Sequence, residues 1–177
     1  MSPSVVVWLN GPFGVGKTTV AKALAAEMTD ALIFDPELVG FMLRKIVARE
    51  LRPSADFQDL PLWRHLTRTT IHGLVTEYHR PVIVPMTLVN PVYFDEIVGA
   101  LRRAGTDVHH VALMADPKTI RNRLLRRLSL PTSALWAFRQ VDRCLAALQS
   151  REFEMQLPTD NMSVADIVTA IRRQLTS

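Results

Sequence analysis

The stretch from Gly11 to Thr18 constrains the fold of this chain more than any other part of its sequence. It reads Gly-Pro-Phe-Gly-Val-Gly-Lys-Thr, follows the apolar run of residues 5–9 and precedes a segment with helical spacing. A strand, a glycine-rich loop and a helix in this order are typical of the phosphate-binding loop of nucleotide-dependent proteins. In such loops, backbone N–H groups and the positive end of the helix hold phosphate oxygens. The pattern therefore predicts an α/β domain that binds a nucleoside triphosphate.

The residue types within the loop predict distinct roles. Lys17 is placed to reach the β- and γ-phosphates, and the Thr18 hydroxyl is placed to ligate Mg²⁺. The pattern fits ATP or GTP, and we assign ATP and Mg²⁺ as the cofactors. The alternative is a chance glycine-rich turn between a strand and a helix. The predicted nucleotide-binding residues are nine consecutive positions: Gly11, Pro12, Phe13, Gly14, Val15, Gly16, Lys17, Thr18 and Thr19.

Composition narrows the possible classes of protein. A chain of 177 residues suits a single domain, residues 1–177, and no uninterrupted apolar stretch approaches the roughly 18–20 residues that span a bilayer. The N-terminus lacks the basic and apolar segments of a secretory signal. The single cysteine, Cys144, excludes an intramolecular disulfide, and its apolar helical position predicts a small buried side chain. We therefore expect a cytoplasmic protein.

Arginine dominates the basic residues. It supplies 17 of the 21 lysine and arginine residues of a chain whose net charge is +4. Arginine binds phosphate and carboxylate groups through paired hydrogen bonds. No aromatic-rich basic stripe or nucleic-acid signature accompanies these arginines. They therefore favour anionic small molecules over nucleic acid as partners.

Segments with strand and helix periodicity alternate along the chain. Strands are predicted at residues 5–10, 31–35, 81–87, 108–114 and 155–159, and the third is interrupted or ended near Pro85. Helices are predicted at residues 17–28, 37–50, 62–79, 93–104, 117–128, 133–149 and 163–175. This alternation predicts a parallel sheet with helices on both faces, and ligands of such sheets bind beyond the carboxyl ends of the strands. We assign residues 4–114 and 151–177 to the core, residues 37–79 to the acceptor-site helices and residues 121–140 to a lid.

Asp35 ends the second predicted strand and should therefore lie at the ligand-binding edge of the sheet. A kinase that acts on a small hydroxyl compound often has an aspartate here, which orients the hydroxyl and accepts its proton. The alternative role is to cap the helix that begins after Pro36. One side chain can serve both purposes, and we predict that Asp35 contacts the substrate and acts as the base.

Residues 116–127 form a strongly basic helical segment. Arg123 and Arg127 are four residues apart and share one face of the predicted helix. We predict a mobile lid in which these two arginines stabilise the transferred phosphoryl group, while Arg121 and Arg126 contact the nucleotide. The alternative is an amphipathic helix whose arginines are solvated.

The predicted acceptor pocket is lined by residues of the segment between the second and third strands and by the end of the third strand. Phe41, Arg44 and Trp63 lie in that segment, and Thr87 ends the third strand. Together with Asp35 they are the predicted substrate contacts. For Phe41 and Trp63, burial in the core is the alternative.

Several stretches resemble the bacterial tunicamycin resistance proteins. The more specific ones are Asp56-Phe-Gln-Asp-Leu-Pro-Leu-Trp-Arg64 and Val84-Pro-Met-Thr87, and similar stretches cover nearly the whole chain. The resemblance implies a protein that binds ATP and protects against tunicamycin, a uridine-containing nucleoside antibiotic. It also implies the architecture of shikimate, gluconate and nucleoside monophosphate kinases. That architecture is a three-layer α/β/α P-loop fold with five parallel strands in the order 2-3-1-4-5 and an arginine-rich lid.

The resemblance also assigns roles to individual positions. Asp35 matches the acceptor-site aspartate of those kinases, and Asp160 and Asn161 fall near the adenine. The better-known member of the family has a longer C-terminal tail associated with membrane attachment, whereas this chain stops at Ser177. The expectation is a cytoplasmic protein, with peripheral contact at the membrane as the alternative.

Three hypotheses about function follow. The first is an ATP-dependent phosphotransferase that acts on a hydroxyl of tunicamycin or a similar nucleoside-like compound. The second is a protein that binds and sequesters the antibiotic without chemistry, with ATP as a co-ligand. The third is a kinase for a nucleoside or sugar. Each is compatible with a monomer or a homodimer.

Overall fold

The computed structural model describes residues 5–54, 56–127, 131–150, 153 and 155–175; for Arg127 and residues 131–137 it describes the backbone alone. Five strands form one sheet: β1 (Val5–Asn10), β2 (Leu32–Ile33), β3 (Val82–Pro85), β4 (Asp107–Met114) and β5 (Gln156–Pro158). Their order is β2-β3-β1-β4-β5, and every neighbouring pair is parallel. The predicted fold class and strand order are confirmed.

Helices connect the strands on both sides of the sheet. They are α1 (Lys17–Glu27), α2 (Glu37–Ile46), α3 (Pro61–Tyr78), α4 (Pro91–Phe94), α5 (Ala100–Arg103), α6 (Pro117–Arg127), α7 (Pro131–Leu148) and α8 (Val164–Leu175). A π-helical turn, Asp95–Gly99, joins α4 to α5. At the start of α8, Ser163 and Asp166 form a capping box, in which the side chain of each residue accepts from the backbone N–H of the other.

Element boundaries differ from the predictions where a cap or a proline intervenes. The helix predicted from residue 93 begins at Pro91, because the Asn90 side chain caps it by accepting from the backbone N–H of Val92. The third strand was predicted at residues 81–87 with an interruption or end near Pro85, and it ends at Pro85, whose missing N–H cannot continue the ladder. The helix predicted to reach residue 50 ends at Ile46 and is followed by a 3₁₀ turn, Arg49–Leu51.

The central strand β1 is buried on both faces and separates two apolar cores. Val6 and Trp8 point into one core, and Val7 and Leu9 point into the other, as the alternation of side chains along a strand requires. The first core includes residues of α3 and of the segment 91–103, and the second includes residues of α1, α6, α7 and α8. A fully buried parallel strand accounts for the apolar run before the glycine loop.

Among the residues that the structure describes, none of the helices is long and apolar enough to span a membrane.

Candidate functional site

The glycine loop lies at the carboxyl end of β1, between β4 and α6. Gly11 has a φ of 139°, and a Cβ there would lie 2.7 Å from the carbonyl oxygen of Leu113 in β4. Gly14 has a φ of 84°, and a Cβ there would lie 2.7 Å from Leu124 Cγ in α6. Glycine is therefore required both by backbone conformation and by close contact. These contacts fix the loop against the sheet and against the basic helix.

Lys17 folds back over the loop at the start of α1. Its Nζ donates to the carbonyl oxygens of Gly11, at 2.8 Å, and Pro12, at 3.0 Å. Burial lowers the pKa of Lys17 to about 8, against the opposing effects of Cys144 and Glu37. An anionic partner strongly stabilises the charged form of a partly desolvated ammonium. A bound phosphate would therefore compete with these two carbonyls for Lys17.

Oxygen ligands for a magnesium ion face a small cavity beside the loop. Thr18 and Asp35 both line this cavity of about 150 Å³, as do Gly14, Gly16 and Lys17. A hydroxyl and a carboxylate are the hard oxygen donors that Mg²⁺ prefers alongside phosphate and water. The residues present therefore fit the predicted metal, with Thr18 and Asp35 as its protein-side candidates.

A buried set of hydrogen bonds joins the loop to the segment after β3. Asn10 is fully buried, and its Oδ1 accepts from the backbone N–H groups of Gly11, at 2.9 Å, and Leu88, at 3.0 Å. Its Nδ2 donates to the Leu88 carbonyl at 2.7 Å, and Thr87 Oγ1 donates to the Gly11 carbonyl at 2.7 Å. Sequence reasoning missed Asn10; a polar residue that ends a buried apolar strand was the available signal.

His110 of β4 completes this set. Its Nε2 lies 3.1 Å from Asn10 Nδ2, and its ring packs edge-on against Phe94. Burial lowers the pKa of His110 to about 3, so the ring is neutral at ordinary pH. A neutral Nε2 that accepts from Asn10 orients the amide, and this orientation presents Oδ1 to the backbone of Gly11 and Leu88.

A larger cavity, of about 660 Å³, adjoins the small one. Three of the predicted substrate contacts, Phe41, Arg44 and Thr87, line it. Phe41 is about half exposed and is therefore not the core residue that the alternative proposed. The full lining comprises Phe13, Glu37, Phe41, Arg44, Asp56, Phe57, Gln58, Asp59, Met86, Thr87, Val89, Gln140, Arg143 and Cys144. We refer to this space as the acceptor pocket.

One wall of the acceptor pocket is held by polar contacts from distant parts of the chain. Gln58 Nε2 donates to the Thr87 carbonyl at 2.9 Å, and Arg64 Nη1 donates to the Gln58 carbonyl at 2.6 Å. Arg64 also pairs with Glu96 in the π-helical turn and lies 4.1 Å over the ring of Tyr93. The segment that resembles the tunicamycin resistance proteins most specifically is thus the one that these contacts fix in place.

Trp63 corrects a prediction. Its side chain is completely buried, its Nε1 donates to the Pro36 carbonyl at 3.0 Å, and its ring lies 5.3 Å from that of Phe57. The indole therefore supports α2 and Phe57 from behind, and it has no surface with which to contact a substrate. Helical spacing could not show this, because Trp63 and Phe41 are equally apolar.

Two carboxylates stand at the junction of the two cavities. Asp35 lines the small cavity, and its Oδ1 accepts from the backbone N–H of Glu37 at 2.9 Å, so its capping role is real. Glu37 lines both cavities and is the one titratable side chain they share among the described residues. Burial raises the pKa of Glu37, and Asp35 raises it further, against Lys17 and Arg44. Sequence reasoning missed Glu37, although an acid two residues after Asp35 was a visible signal.

The arginines of α6 occupy different environments. Arg123 Nη1 donates to the carbonyl of Val15 in the loop at 3.1 Å. Arg121 pairs with Asp142 of α7 and lies 5.1 Å from the ring of Phe138. Arg126 is exposed, and the side chain of Arg127 lies outside the described residues. Among the predicted lid arginines whose side chains the structure describes, Arg123 is therefore the one that lies at the loop.

The predicted adenine region lies at the carboxyl ends of β4 and β5. The carboxylate of Asp160 accepts from the backbone N–H of Asp116, at 2.8 and 3.1 Å, just before α6. Asp160 also lines a cavity of about 350 Å³ between these strand ends and α7, together with Met114, Ala115, Pro117, Asp142, Leu145, Ala146, Gln149 and Pro158. Asn161 is exposed in the following turn.

Solved structures similar to this one span the whole chain. The tunicamycin resistance protein of Deinococcus radiodurans superposes with a TM-score of 0.79 at 28% identity, over 99% of this chain and 96% of that one. A shikimate kinase from Bacteroides thetaiotaomicron (TM-score 0.63, 21% identity, 98% and 99% coverage) and a gluconokinase from Sinorhizobium meliloti (0.63, 17%, 98% and 95%) share the fold. The resemblance to tunicamycin resistance proteins is confirmed.

Sequence comparisons place the chain among nucleotide-dependent proteins. A 2-phosphoglycerate kinase from Pyrococcus horikoshii is 32% identical over 69 residues, which are 39% of this chain and 23% of that kinase. The matched stretch thus spans about a quarter of the relative. The family model described as an AAA domain matches residues 6–150. With its phosphate loop and kinase-like sheet, the chain therefore belongs to the AAA domain family and is a kinase-like, nucleotide-binding member of it.

Proposed function

We propose that this protein is an ATP-dependent phosphotransferase that phosphorylates a hydroxyl of tunicamycin or of a similar nucleoside-like compound. The observation that carries the proposal is the junction of the two cavities. A small cavity lined by Lys17 and Thr18 opens beside a pocket of about 660 Å³, and Glu37 lines both. A phosphoryl donor and a hydroxyl acceptor bound in adjacent cavities lie close enough to react without diffusion.

Each side chain at the junction has a role in transfer. ATP, when bound, supplies the phosphoryl group. Lys17 would neutralise charge on the β- and γ-phosphates, and Thr18 would hold a Mg²⁺ ion that supplies further positive charge there. Arg123, which contacts the loop from α6, would approach the same phosphates. The acceptor O–H bond breaks as the new O–P bond forms, and the bond between the γ-phosphorus and its bridging oxygen breaks to release ADP. A carboxylate beside the pocket accepts the proton.

Two carboxylates, Asp35 and Glu37, are the candidate proton acceptors in this proposal. Asp35 faces the metal side of the junction, while Glu37 also faces the acceptor pocket. A raised pKa makes the ionised Glu37 carboxylate a stronger proton acceptor than an ordinary glutamate. Arg121, Arg126 and Arg127 complete the proposed lid, and Asp160 and Asn161 the proposed adenine contacts.

The direct test is incubation with ATP, Mg²⁺ and tunicamycin, followed by mass spectrometry of the antibiotic. We expect a product heavier by one phosphoryl group, and none with Lys17→Ala, which should lose nucleotide binding. No added phosphate under conditions in which calorimetry shows both ligands bound would overturn the proposal.

Sequestration without chemistry is the second candidate. Lys17 donates to two carbonyls of its own loop, which suits a protein that uses nucleotide as a switch as well as one that uses it as a donor. Asp35→Asn and Glu37→Gln separate the two functions. A phosphotransferase should lose turnover in at least one variant while it retains ATP affinity, whereas a binder should protect cells as long as antibiotic affinity persists. A panel of nucleosides and sugars in the same assay tests the third hypothesis, a nucleoside or sugar kinase.

A further inference from the structure

The Lys17 ammonium has fewer donors than a bound nucleotide would require of it. An ammonium has three N–H groups. In the structure Nζ already donates to two acceptors, the carbonyl oxygens of Gly11, at 2.8 Å, and Pro12, at 3.0 Å. Hydrogen bonds to both the β- and the γ-phosphate would raise the number of acceptors to four. At least one of the two carbonyls must therefore lose Lys17 when both phosphates are bound.

A second donor protects each of these carbonyls from that loss. Gly11 and Pro12 are both buried, and a buried carbonyl without a donor costs free energy comparable to a lost hydrogen bond. The Pro12 carbonyl also accepts from the backbone N–H of Val15 at 3.3 Å, and the Gly11 carbonyl also accepts from Thr87 Oγ1 at 2.7 Å. Both carbonyls therefore keep a partner after Lys17 turns to a phosphate.

The donor to Gly11 comes from a distant part of the chain. Thr87 lies 76 positions from Gly11, is 5% exposed and lines both cavities. Its hydroxyl has a single proton, and that proton is donated to the loop. Thr87 therefore acts on the phosphate site through the Gly11 carbonyl, which makes it a positioning residue.

Contacts on two sides fix the backbone of Thr87. Its carbonyl accepts from Gln58 Nε2 at 2.9 Å, and the Gln58 carbonyl accepts in turn from Arg64 Nη1 at 2.6 Å. The next residue, Leu88, both donates to and accepts from the side chain of Asn10. Thr87 is thus held between α3 and the end of β1. A hydroxyl positioned in advance loses little entropy when it takes over the Gly11 carbonyl.

We propose that Thr87 holds the Gly11 carbonyl so that Lys17 can transfer a hydrogen bond from the loop to a nucleotide phosphate. Without the hydroxyl, the carbonyl would either lose its partner when Lys17 moves or retain Lys17 at the expense of the phosphates. Both outcomes weaken nucleotide binding. The inference goes beyond the proposed function, because a phosphotransferase and a sequestering protein would both bind nucleotide in this way.

Thr87→Val tests the proposal, because valine keeps the shape of threonine and removes the hydroxyl. Calorimetry with Mg²⁺ and a non-hydrolysable ATP analogue should show at least about tenfold weaker binding. The ligand-free variant keeps Lys17 on the Gly11 carbonyl, so its Tm should fall by only about 2–4 °C. Thr87→Ser restores the hydroxyl and should bind within about twofold of the unsubstituted protein.

Thr159→Val is the matched control. Thr159 is 2% exposed, and its Oγ1 donates to the Met114 carbonyl at 2.9 Å. That carbonyl also accepts from the backbone N–H of Thr159 at 2.8 Å, so this variant likewise removes one of two donors. Lys17 is not among them. We expect a similar fall in Tm, about 2–4 °C, with affinity for the analogue changed by less than about twofold.

A structure of the unsubstituted protein with Mg²⁺ and the analogue tests the same point without any variant. Thr87 Oγ1 should remain within about 3 Å of the Gly11 carbonyl oxygen, while Lys17 Nζ moves beyond about 3.5 Å from at least one of its two carbonyls. A complex in which Lys17 keeps both carbonyls and also binds both phosphates would contradict the proposal, as would one in which Thr87 turns away from Gly11.

The binding measurements can also overturn the proposal. It fails if the unsubstituted protein does not bind the analogue, if Thr87→Val binds it equally well, if Thr87→Ser binds as weakly as Thr87→Val, or if Thr159→Val shows the same loss. Failure of the proposed function looks different. Tight, Thr87-dependent binding of the analogue without phosphate transfer from ATP would leave this inference standing and remove the phosphotransferase.

Discussion

The phosphate loop and the acceptor pocket are adjacent in space but are held by different kinds of contact. The loop is fixed mainly by backbone conformation and by a few buried contacts within and beside it, such as those of Gly11, Gly14 and Asn10. The acceptor pocket is assembled from side chains of α2, α7 and three separate connecting segments. A local motif therefore supplies the conformation of the loop, and contacts to Leu88, Leu113 and Leu124 anchor it. The acceptor pocket has no such local part and exists only after the chain has folded. Substitutions in each region should separate the two kinds of stabilisation.

The largest effect is expected for Asn10→Ala. This change leaves the buried backbone N–H groups of Gly11 and Leu88 without their partner, and we expect the free energy of unfolding to fall by roughly 3–4 kcal/mol. Asn90→Ala is the control, because Asn90 caps α4 from a partly exposed position and should cost about 1 kcal/mol. Denaturant unfolding measures both. If the two variants lose the same free energy of unfolding, the buried hydrogen bonds of Asn10 do not anchor the loop.

Two tryptophans test whether the pocket wall behaves independently of the loop. Trp63→Phe and Trp8→Phe each remove an indole hydrogen bond, to Pro36 and Met86 respectively, from a fully buried ring. Each should cost about 2 kcal/mol. Trp63→Phe should weaken acceptor binding and leave ATP affinity unchanged, because Trp63 supports α2. Trp8→Phe should weaken both, because Met86 lines both cavities; calorimetry with each ligand distinguishes them.

Lys17→Met should abolish nucleotide binding and yet stabilise the protein. Burial lowers the pKa of Lys17 from 10.5 to about 8, so the charged form is disfavoured in the folded state. This penalty is fully present below pH 8 and disappears as the pH rises from 8 towards 10.5. We therefore expect a gain of about 1–2 kcal/mol at neutral pH that vanishes in alkaline solution. A loss of stability at pH 7 would contradict the argument.

The smallest effect is expected for Glu37→Gln. Burial and Asp35 raise the pKa of Glu37 above its ordinary 4.5, which means that the folded state favours the protonated form. The stability that this form contributes is lost as the pH rises through the folded-state pKa. Because the side chain is partly exposed, the amide should stabilise the protein at neutral pH by less than about 1 kcal/mol. The difference from the unsubstituted protein should shrink as the pH falls towards 4.5 in unfolding measurements; a constant difference would mean that ionisation is not its cause.

Local patterns in the sequence predicted much of the fold. The predictions that failed, of element boundaries and of site residues, have identifiable physical causes. Alternating periodicities predicted five parallel strands, and the resemblance implied their order. Boundaries failed where one residue terminates or starts an element, as Asn90 does for α4. At the site, Phe41, Arg44 and Thr87 line the pocket, while Trp63 is buried and Glu37 was missed. Periodicity identifies an apolar helix face, but it cannot show whether that face meets a core or a cavity.

The sequence by itself determined the phosphate loop, because a strand, three glycines and a lysine act through neighbouring backbone atoms that any such segment brings together. Only the tertiary structure decided what the loop faces. Glu37 joins the two cavities because α2 begins beside the loop, and Arg44 and Arg143 share a pocket although 99 positions separate them along the chain. Contacts between distant segments depend on how the elements pack, and a local sequence pattern does not predict which side chains that packing brings together.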